Sequence, residues 1–361
     1  MIINKRIALI YKDLALGGVQ HKIVDITKEL AKRKNVKVYL FLIKKEGEFL
    51  EKIPPQVNII NLHASLRLPF VFFLPLKLSF AIILFRPDVV FALMDTYGCS
   101  AILAKTMLLR KKPKIIISQN VYPYRFLKQR SHFWLRKLLI TTLYPRASQI
   151  ISLSDAITNN LVTYFNISRK KITLVRNWTK NKKNGSKTID IIYAGRFAEE
   201  KNLPLLLESF SLLLTKRPKA VLCLLGYGKE EKNIRKIIAK LHLNDRVIIK
   251  GFTHNPSKMM QRSRILTITS YNEGTPQVIL EAMAIGIPVI TTNFPGVREM
   301  IIHKKSGIIA NTPKSISAWM QKLLCDKKLT YKLTTNAKQF IKKNYPSSNL
   351  KKLVNIICQE E

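Results

Sequence analysis

Two glutamates, Glu273 and Glu281, stand eight residues apart in SYNEGTPQVILEAMAIGIPVITT (Ser270 to Thr292), a block that leaves an apolar strand, passes a small-residue helix and enters another strand. Thr275 is expected to cap that helix and Pro276 to take its first position, where a missing N–H costs little. Glu273, Gly274 and Thr275 would then lie just before a helix N-terminus, whose free backbone N–H groups make a ready anion site. Glu273 alone reads equally well as a dipole partner worth about 0.3–1 kcal/mol. Glu281 shares a helical face with Gln277 by its i, i+4 spacing. A carboxylate in so apolar a helix is either held by a buried partner or accepts a ligand hydroxyl such as that of a ribose.

A second set lies in IIYAGRFAEEKNLPLLLESF (Ile191 to Phe210). A strand ends at Gly195, Arg196 sits at its tip, and Lys201 precedes a helix that Asn202 is expected to cap. Gly195 permits close backbone approach, and Arg196 with Lys201 can neutralise a diphosphate between them. The plainer reading, two solvated cations, weighs heavily in a chain with 62 lysines and arginines. A third set is the Gly17-Gly18 turn between the first strand and the first helix. It can bring N–H groups to a phosphate, yet it is no GxGxxG fingerprint, which disfavours NAD and FAD.

Short apolar runs alternate with helical stretches around these residues. In the first half the runs are RIALIY, VKVYLFLI, VNIINL, DVVFAL, KIIISQN and SQIISLS, each apolar enough for a sheet covered on both faces. In the second half they are IDIIYAG, AVLCLLG, RVIIKG, RILTITS and IPVITT. Helical segments between them make the pattern that of doubly wound parallel α/β domains. KNKKNGSK, Lys180 to Lys187, has the polar texture of an interdomain linker. At 361 residues two domains are expected: residues 1–180, and residues 187–335, with a helix from about residue 340 to 361 returning to the first. Functional residues should sit just past the strands, where open α/β sheets bind ligands.

The chain has 62 basic against 22 acidic residues, a formal charge of +40, which draws polyanions: nucleic acid, an anionic bilayer or a phosphorylated substrate. Part of that excess reads as a plain Lys-rich composition. Cys99, Cys223, Cys325 and Cys358 form no CxxC pair and no His/Cys cluster, so they read as buried thiols in a reducing compartment, without zinc. The N-terminal apolar run is short and broken by Lys12 and Asp13, which argues against a secretory signal and for the cytoplasm. LPFVFFLPLKLSFAIILF, Leu68 to Phe85, approaches bilayer-spanning length but contains Pro69, Pro75 and Lys77. It reads as a buried helix, as an interfacial helix at an anionic membrane, or as a span.

LALGGVQ, AGRFAEEKN, LLGYGKE and EGTPQVILEAMAIGIPVITT, in this order, resemble the family 4 retaining glycosyltransferases of the GT-B fold, over nearly the whole chain. The resemblance implies two Rossmann-like domains facing across a cleft, an acceptor-binding first domain and a nucleotide-sugar-binding second one. It implies that Arg196 and Lys201 hold the donor diphosphate, that Glu273 contacts the donor sugar and that Glu281 binds the ribose. Gly195, Gly274 and Thr275 then border the diphosphate or sugar. Gly17 and Gly18 correspond to the closing loop of the first domain. Gly226 and Gly228 resemble the nucleotide-side glycine turn, with Tyr227 where an acidic residue is more usual. After the fifth strand, where many relatives carry a histidine near the transferring sugar, this chain has SQNVYPYR. Gln119 or Asn120 occupies that place, and neither ionises.

The implied chemistry is departure of a nucleoside diphosphate from an anomeric carbon, with fixed cations and helix N-termini meeting the developing charge. No DxD-like metal motif stands out, and neither metal nor cofactor is expected. The donor is expected to be UDP-linked and the acceptor a lipid-linked or lipopolysaccharide-type saccharide. The enzyme would sit peripherally on the cytoplasmic face of the plasma membrane. A sugar-nucleotide epimerase of the same architecture competes with this reading. So does a non-catalytic basic nucleic-acid binder, which lacks a recognisable motif or aromatics among its basic runs, so that no nucleic-acid partner is expected.

Overall fold

In the computed structural model the described residues are 5–15, 17–65, 73–109, 112–128, 132–179, 185, 187–251, 253 and 255–359. They form two compact units: residues 1–177 with 348–361, and residues 178–347. Residues 68–72 of the long apolar segment, and 180–184 and 186 of the expected linker, lie outside the described residues. Lys187 is tied into the second unit instead, donating to the carbonyls of Gln261 (3.1 Å) and Ser263 (2.7 Å).

The first unit holds a seven-stranded parallel sheet. In chain order its strands are β1 (Lys5–Tyr11), β2 (Val36–Leu42), β3 (Asn58–Asn61), β4 (Val89–Leu93), β5 (Lys114–Gln119), β6 (Gln149–Ser152) and β7 (Ile172–Leu174). The spatial order 3-2-1-4-5-6-7 reverses between β1 and β4, where a doubly wound sheet opens its ligand edge. Successive strand residues face opposite sides. Ala8 and Ile10 join one core with the helices α2 (Leu74–Phe85), α3 (Asp95–Thr106) and α5 (Phe133–Leu143), while Ile7 and Leu9 are equally buried on the other side. There α1 (Gly18–Ala31) packs beside α13 (Ser348–Cys358), and Arg33 Nη2 just past α1 donates to Asn355 Oδ1 at 2.7 Å. Burial on both faces accounts for the unbroken apolar runs of the strands. The short α4 (Pro123–Lys128) follows β5, and α6 (Asp155–Phe165) follows β6 with Ser154 as its cap, accepting from Ile157 N–H.

The second unit holds a six-stranded parallel sheet of β8 (Ile189–Ala194), β9 (Leu222–Leu225), β10 (Val247–Lys250), β11 (Ser263–Ile268), β12 (Val289–Thr291) and β13 (Ile308–Ile309), ordered 10-9-8-11-12-13. Its helices are α7 (Leu203–Leu214), α8 (Glu231–Lys240), α9 (Pro256–Gln261), α10 (Gln277–Ile285), α11 (Pro313–Cys325) and α12 (Lys327–Asn344). α11 packs on α7, and α12 packs on α10. The second unit therefore runs to Ser347, past the expected residue 335, and only α13 of the terminal helices groups with the first unit.

Among the cysteines, Cys99, Cys223 and Cys358 are buried free thiols, but Cys325 is exposed, which corrects the expectation of four buried thiols. It ends α11, where Arg217 Nη2 reaches its sulfur at 3.1 Å.

Candidate active site

In the second unit the loops after β8 and β9 are joined backbone to backbone. Gly195 N–H donates to Leu225 O (3.0 Å), Phe197 N–H to Tyr227 O (2.9 Å) and Glu230 N–H to Phe197 O (3.1 Å). This contact explains two glycines. Gly226 has φ +144°, and a Cβ there would stand 1.9 Å from Gly195 O; one at Gly228 would stand 2.2 Å from Phe197 O. Tyr193, buried at the end of β8, donates its hydroxyl to Arg196 O at 2.8 Å and so fixes the turn. Burial first, then the charge of Glu273, pushes the Tyr193 phenol well above its usual range, which keeps it a donor.

A single turn of 3₁₀ helix, Glu199–Lys201, then delivers Lys201. Its Nζ lies 2.5 Å from Glu273 Oε1, and that oxygen also accepts from Ser270 Oγ at 2.9 Å. The two loops are stitched by Tyr271 N–H to Glu200 O (3.2 Å) and Thr269 Oγ1 to Lys201 O (3.2 Å), while Thr292 Oγ1 donates to Ser270 O. The Lys201 and Glu273 side chains are 15% and 14% exposed, sheltered more than a surface pair yet reachable from solvent. Arg196 is different. Its side chain is 56% exposed and its Nη2 stands 3.4 Å from Glu200 Oε1, a surface pair worth at most about 1 kcal/mol. Both cations can exchange these partners for an oxyanion.

α10 begins at Gln277, with no side-chain cap and no acidic residue in its first turn. The cap expected from Thr275 is not made, because Pro276, in extended backbone, takes the boundary position and the helix starts one residue later. Asn202 likewise makes no side-chain cap on α7; it is itself in the left-handed region (φ 48°). The first N–H groups of α10 thus lie behind Gly274 and Thr275 without a side-chain acceptor among the cap residues, which suits an anion. Glu281, half-buried on α10, accepts from Ser257 Oγ of α9 at 2.8 Å. Gln277, one turn earlier, donates to Trp178 O at 2.8 Å. The shared helical face read from their spacing is used by two different partners.

At the carboxyl edge of the first unit's sheet, Gly17 and Gly18 open α1, and Gly17 makes no side-chain cap. Gln119 is fully buried, with Oε1 accepting from Tyr144 OH (2.8 Å) and Nε2 donating to Val121 O (3.1 Å), so it is built into the interior. Asn120 has a partner that sequence reasoning passes over: Lys22 Nζ on α1 lies 3.4 Å from its Oδ1. Burial pushes the Lys22 ammonium down to about 7. The signal was its spacing, four and eight residues before the buried Ile26 and Leu30, which puts a lysine on the core-facing stripe of α1.

Among the described residues no group of three or more His, Cys, Asp or Glu side chains could hold a metal ion.

The family model described as Glycosyltransferase Family 4 matches residues 16–180, and that described as Glycosyl transferases group 1 matches residues 175–340. Over 97% of its length the chain is 26% identical to a Campylobacter jejuni protein, matched over 100% of its own length. That relative is an N-acetylgalactosamine-N,N'-diacetylbacillosaminyl-diphospho-undecaprenol 4-alpha-N-acetylgalactosaminyltransferase. The fold superposes on Anabaena HepE in complex with UDP with a TM-score of 0.80, at 18% identity over 98% of this chain and 99% of that one. It superposes on the sucrose-phosphate synthase of Thermosynechococcus elongatus with a TM-score of 0.83, at 17% identity over 99% of both chains.

Proposed function

Since the chain belongs to the family 4 glycosyltransferases of the GT-B fold, we propose that it moves a sugar from a UDP-sugar donor to a lipid-linked or lipopolysaccharide-type saccharide, with retention at the anomeric carbon. The observation that carries this reading is the Lys201–Glu273 contact at the tips of β8 and β11, beside the uncapped start of α10. In the reaction the bond from the anomeric carbon to the diphosphate oxygen breaks, and its electron pair stays on the phosphate. Lys201 and Arg196 meet that charge, and the N–H groups before Gln277 add to it. Preorganised donors of this kind are the largest effect a protein supplies to such a step. Glu273, released from Lys201, then holds a donor-sugar hydroxyl, and Glu281 accepts from the ribose with Ser257 fixing its rotamer. The acceptor oxygen bonds to the anomeric carbon on the face the phosphate leaves, and its proton passes to the departing phosphate. The reading calls for no resident cofactor, since the nucleotide sugar is a substrate and the cations on its diphosphate are side chains.

The lipid-linked acceptor draws support from two sources. The Campylobacter relative acts, by its name, on a diphospho-undecaprenol saccharide. On this chain, α2 and α5 both pack on α3 and each carries exposed large apolar side chains: Phe80 70%, Leu84 73% and Trp134 75% exposed, with Phe73, Ile83 and Leu138 exposed as well. No helix among the described residues is long and apolar enough to cross a membrane. Such exposed apolar side chains on a chain of charge +40 fit the headgroup layer of an anionic bilayer, with the aromatics inserted and the lysines and arginines at the phosphates. We therefore place the enzyme peripherally on the cytoplasmic leaflet.

Equilibrium binding of UDP, UDP-sugars and GDP-sugars tests the donor half. The reading expects a UDP-sugar to bind and both Lys201→Ala and Glu281→Ala to weaken it about tenfold or more; binding that ignores both substitutions counts against it.

A further inference from the structure

We propose that Lys22 is an anion-binding residue of the acceptor site, presented with Asn120 at the carboxyl edge of the first unit's sheet to a phosphate or carboxylate carried by the acceptor. The proposal rests on the glycosyltransferase reading above and extends it to one chemical feature of the acceptor.

Lys22 is 8% exposed and Asn120 5%, so both lie within the fold, Lys22 one turn into the helix that follows β1 and Asn120 directly after β5. The ammonium carries three donors, yet its contact is a neutral amide oxygen at 3.4 Å. Charge-assisted bonds normally close to about 2.7–2.9 Å. Among the described residues no carboxylate pairs with it. The buried Asp13 of the same sheet edge is engaged by Lys12 Nζ at 2.8 Å and by Gln20 Nε2 at 3.3 Å. Asn120 is also loosely held, its Oδ1 taking Ser118 Oγ at 3.3 Å and its Nδ2 giving to Ser118 O at 3.4 Å. Two long contacts on one side chain leave room for both residues to turn toward a third group.

A buried cation without a counter-charge is costly, and an unbranched apolar methionine, one atom shorter, would fill most of the position more cheaply. An anion arriving at this edge would supply the missing charge and the short hydrogen bonds together. The place after β5 that lacks an ionisable group of its own is thus served by one from α1. The chemistry admits a phosphate, as in a lipid diphosphate, or a carboxylate, as in an acidic sugar.

The test uses the full chain saturated with UDP, in about 150 mM salt to screen the general basic field. Wild type and Lys22→Met are titrated calorimetrically with methyl phosphate and with the methyl glycoside of glucuronate. The proposal expects at least one probe to bind wild type about tenfold more tightly than Lys22→Met, with UDP affinity within about twofold in the two proteins. The preferred probe then names the source of the anion. Equal binding of both probes to the two proteins, or none to wild type, overturns it. So does a Lys22→Met protein that loses UDP affinity instead, because the anion is then the donor's. Lys22→Gln serves as the second uncharged variant if Lys22→Met fails to fold. UDP binding is measured first and separately, so a wild type that ignores UDP counts against the donor reading, and the titration then proceeds on the unliganded chain.

Discussion

Lys201 Nζ lies 2.5 Å from Glu273 Oε1 although the residues are 72 positions apart in the chain. The contact joins the loop after β8 to the loop after β11, so one ion pair reports on two sequence blocks at once. A donor diphosphate that draws Lys201 away leaves Glu273 free for the sugar. Lys201→Met should lower kcat by about 10²–10³, and Glu273→Gln should lower kcat with a smaller change in nucleotide affinity. Steady-state kinetics with a saturating donor separates the two. Losses confined to thermal stability would reduce the pair to a structural contact.

Glu281 and Ser257 make a second pair at 2.8 Å. Glu281→Gln should weaken UDP binding about tenfold, because a carboxylate accepts a ribose hydroxyl more strongly than an amide does. Ser257→Ala should weaken it less, as it frees a rotamer without removing the acceptor. Calorimetry on UDP alone reads both, and equal affinity in all three proteins contradicts the ribose role.

Gly226 is required by geometry rather than by ligand contact. Gly226→Ala places a Cβ 1.9 Å from Gly195 O at φ +144°, so the loops after β8 and β9 must part. Urea unfolding should show a loss of about 2 kcal/mol or more, and donor binding should fall with it. An alanine variant of wild-type stability would mean that the two loops are not joined as described.

Much of this organisation is legible in the sequence. The apolar runs locate β1 to β6 and β8 to β12, because a central strand covered on both faces is apolar nearly throughout, while the edge strands β3 and β10 still keep a short apolar run. β7 and β13 are missed: with three and two residues, Ile172–Leu174 and Ile308–Ile309 are too short to show a pattern. α11 is passed over too, although Thr312 and Ser315 form a reciprocal cap at its start. The glycine loops and the two glutamates are visible as local motifs, while the partners that hold them, Lys201 and Ser257, follow only from the sheet order. Lys22 is lost among 62 basic residues, since a charge is ordinarily read as solvated and only its spacing with Ile26 and Leu30 argues otherwise.

Lys22 also predicts a pH effect on stability. Burial holds its folded pKa at about 7, below the ordinary lysine value of 10.5, so between these two values the unfolded chain binds the extra proton. Stability from this group therefore rises with pH across that window, by up to about 1.4 kcal/mol per unit. The difference in unfolding free energy between Lys22→Met and wild type should shrink as pH is raised from 7 toward 10. A difference that stays constant would mean that the ammonium is not held in a dry site.

The exposed apolar side chains of α2 and α5 predict salt-sensitive adsorption to anionic vesicles. Phe80→Ser with Leu84→Ser and Trp134→Ser should reduce binding to phosphatidylglycerol vesicles about tenfold or more while leaving UDP affinity unchanged. These side chains are exposed, so the fold should tolerate the change. Unaltered vesicle binding would place the contact elsewhere.

The central claim, sugar transfer from a nucleotide to a membrane-held acceptor, is tested most directly by incubating purified protein with radiolabelled nucleotide sugars and a membrane lipid extract. Wild type, Lys201→Ala and Glu281→Ala are compared side by side. The account predicts that label from a UDP-sugar enters the lipid fraction with wild type and falls at least about a hundredfold with Lys201→Ala. Label that enters the lipid fraction equally with all three proteins, or that never leaves the nucleotide with wild type while UDP binding ignores both substitutions, would contradict it.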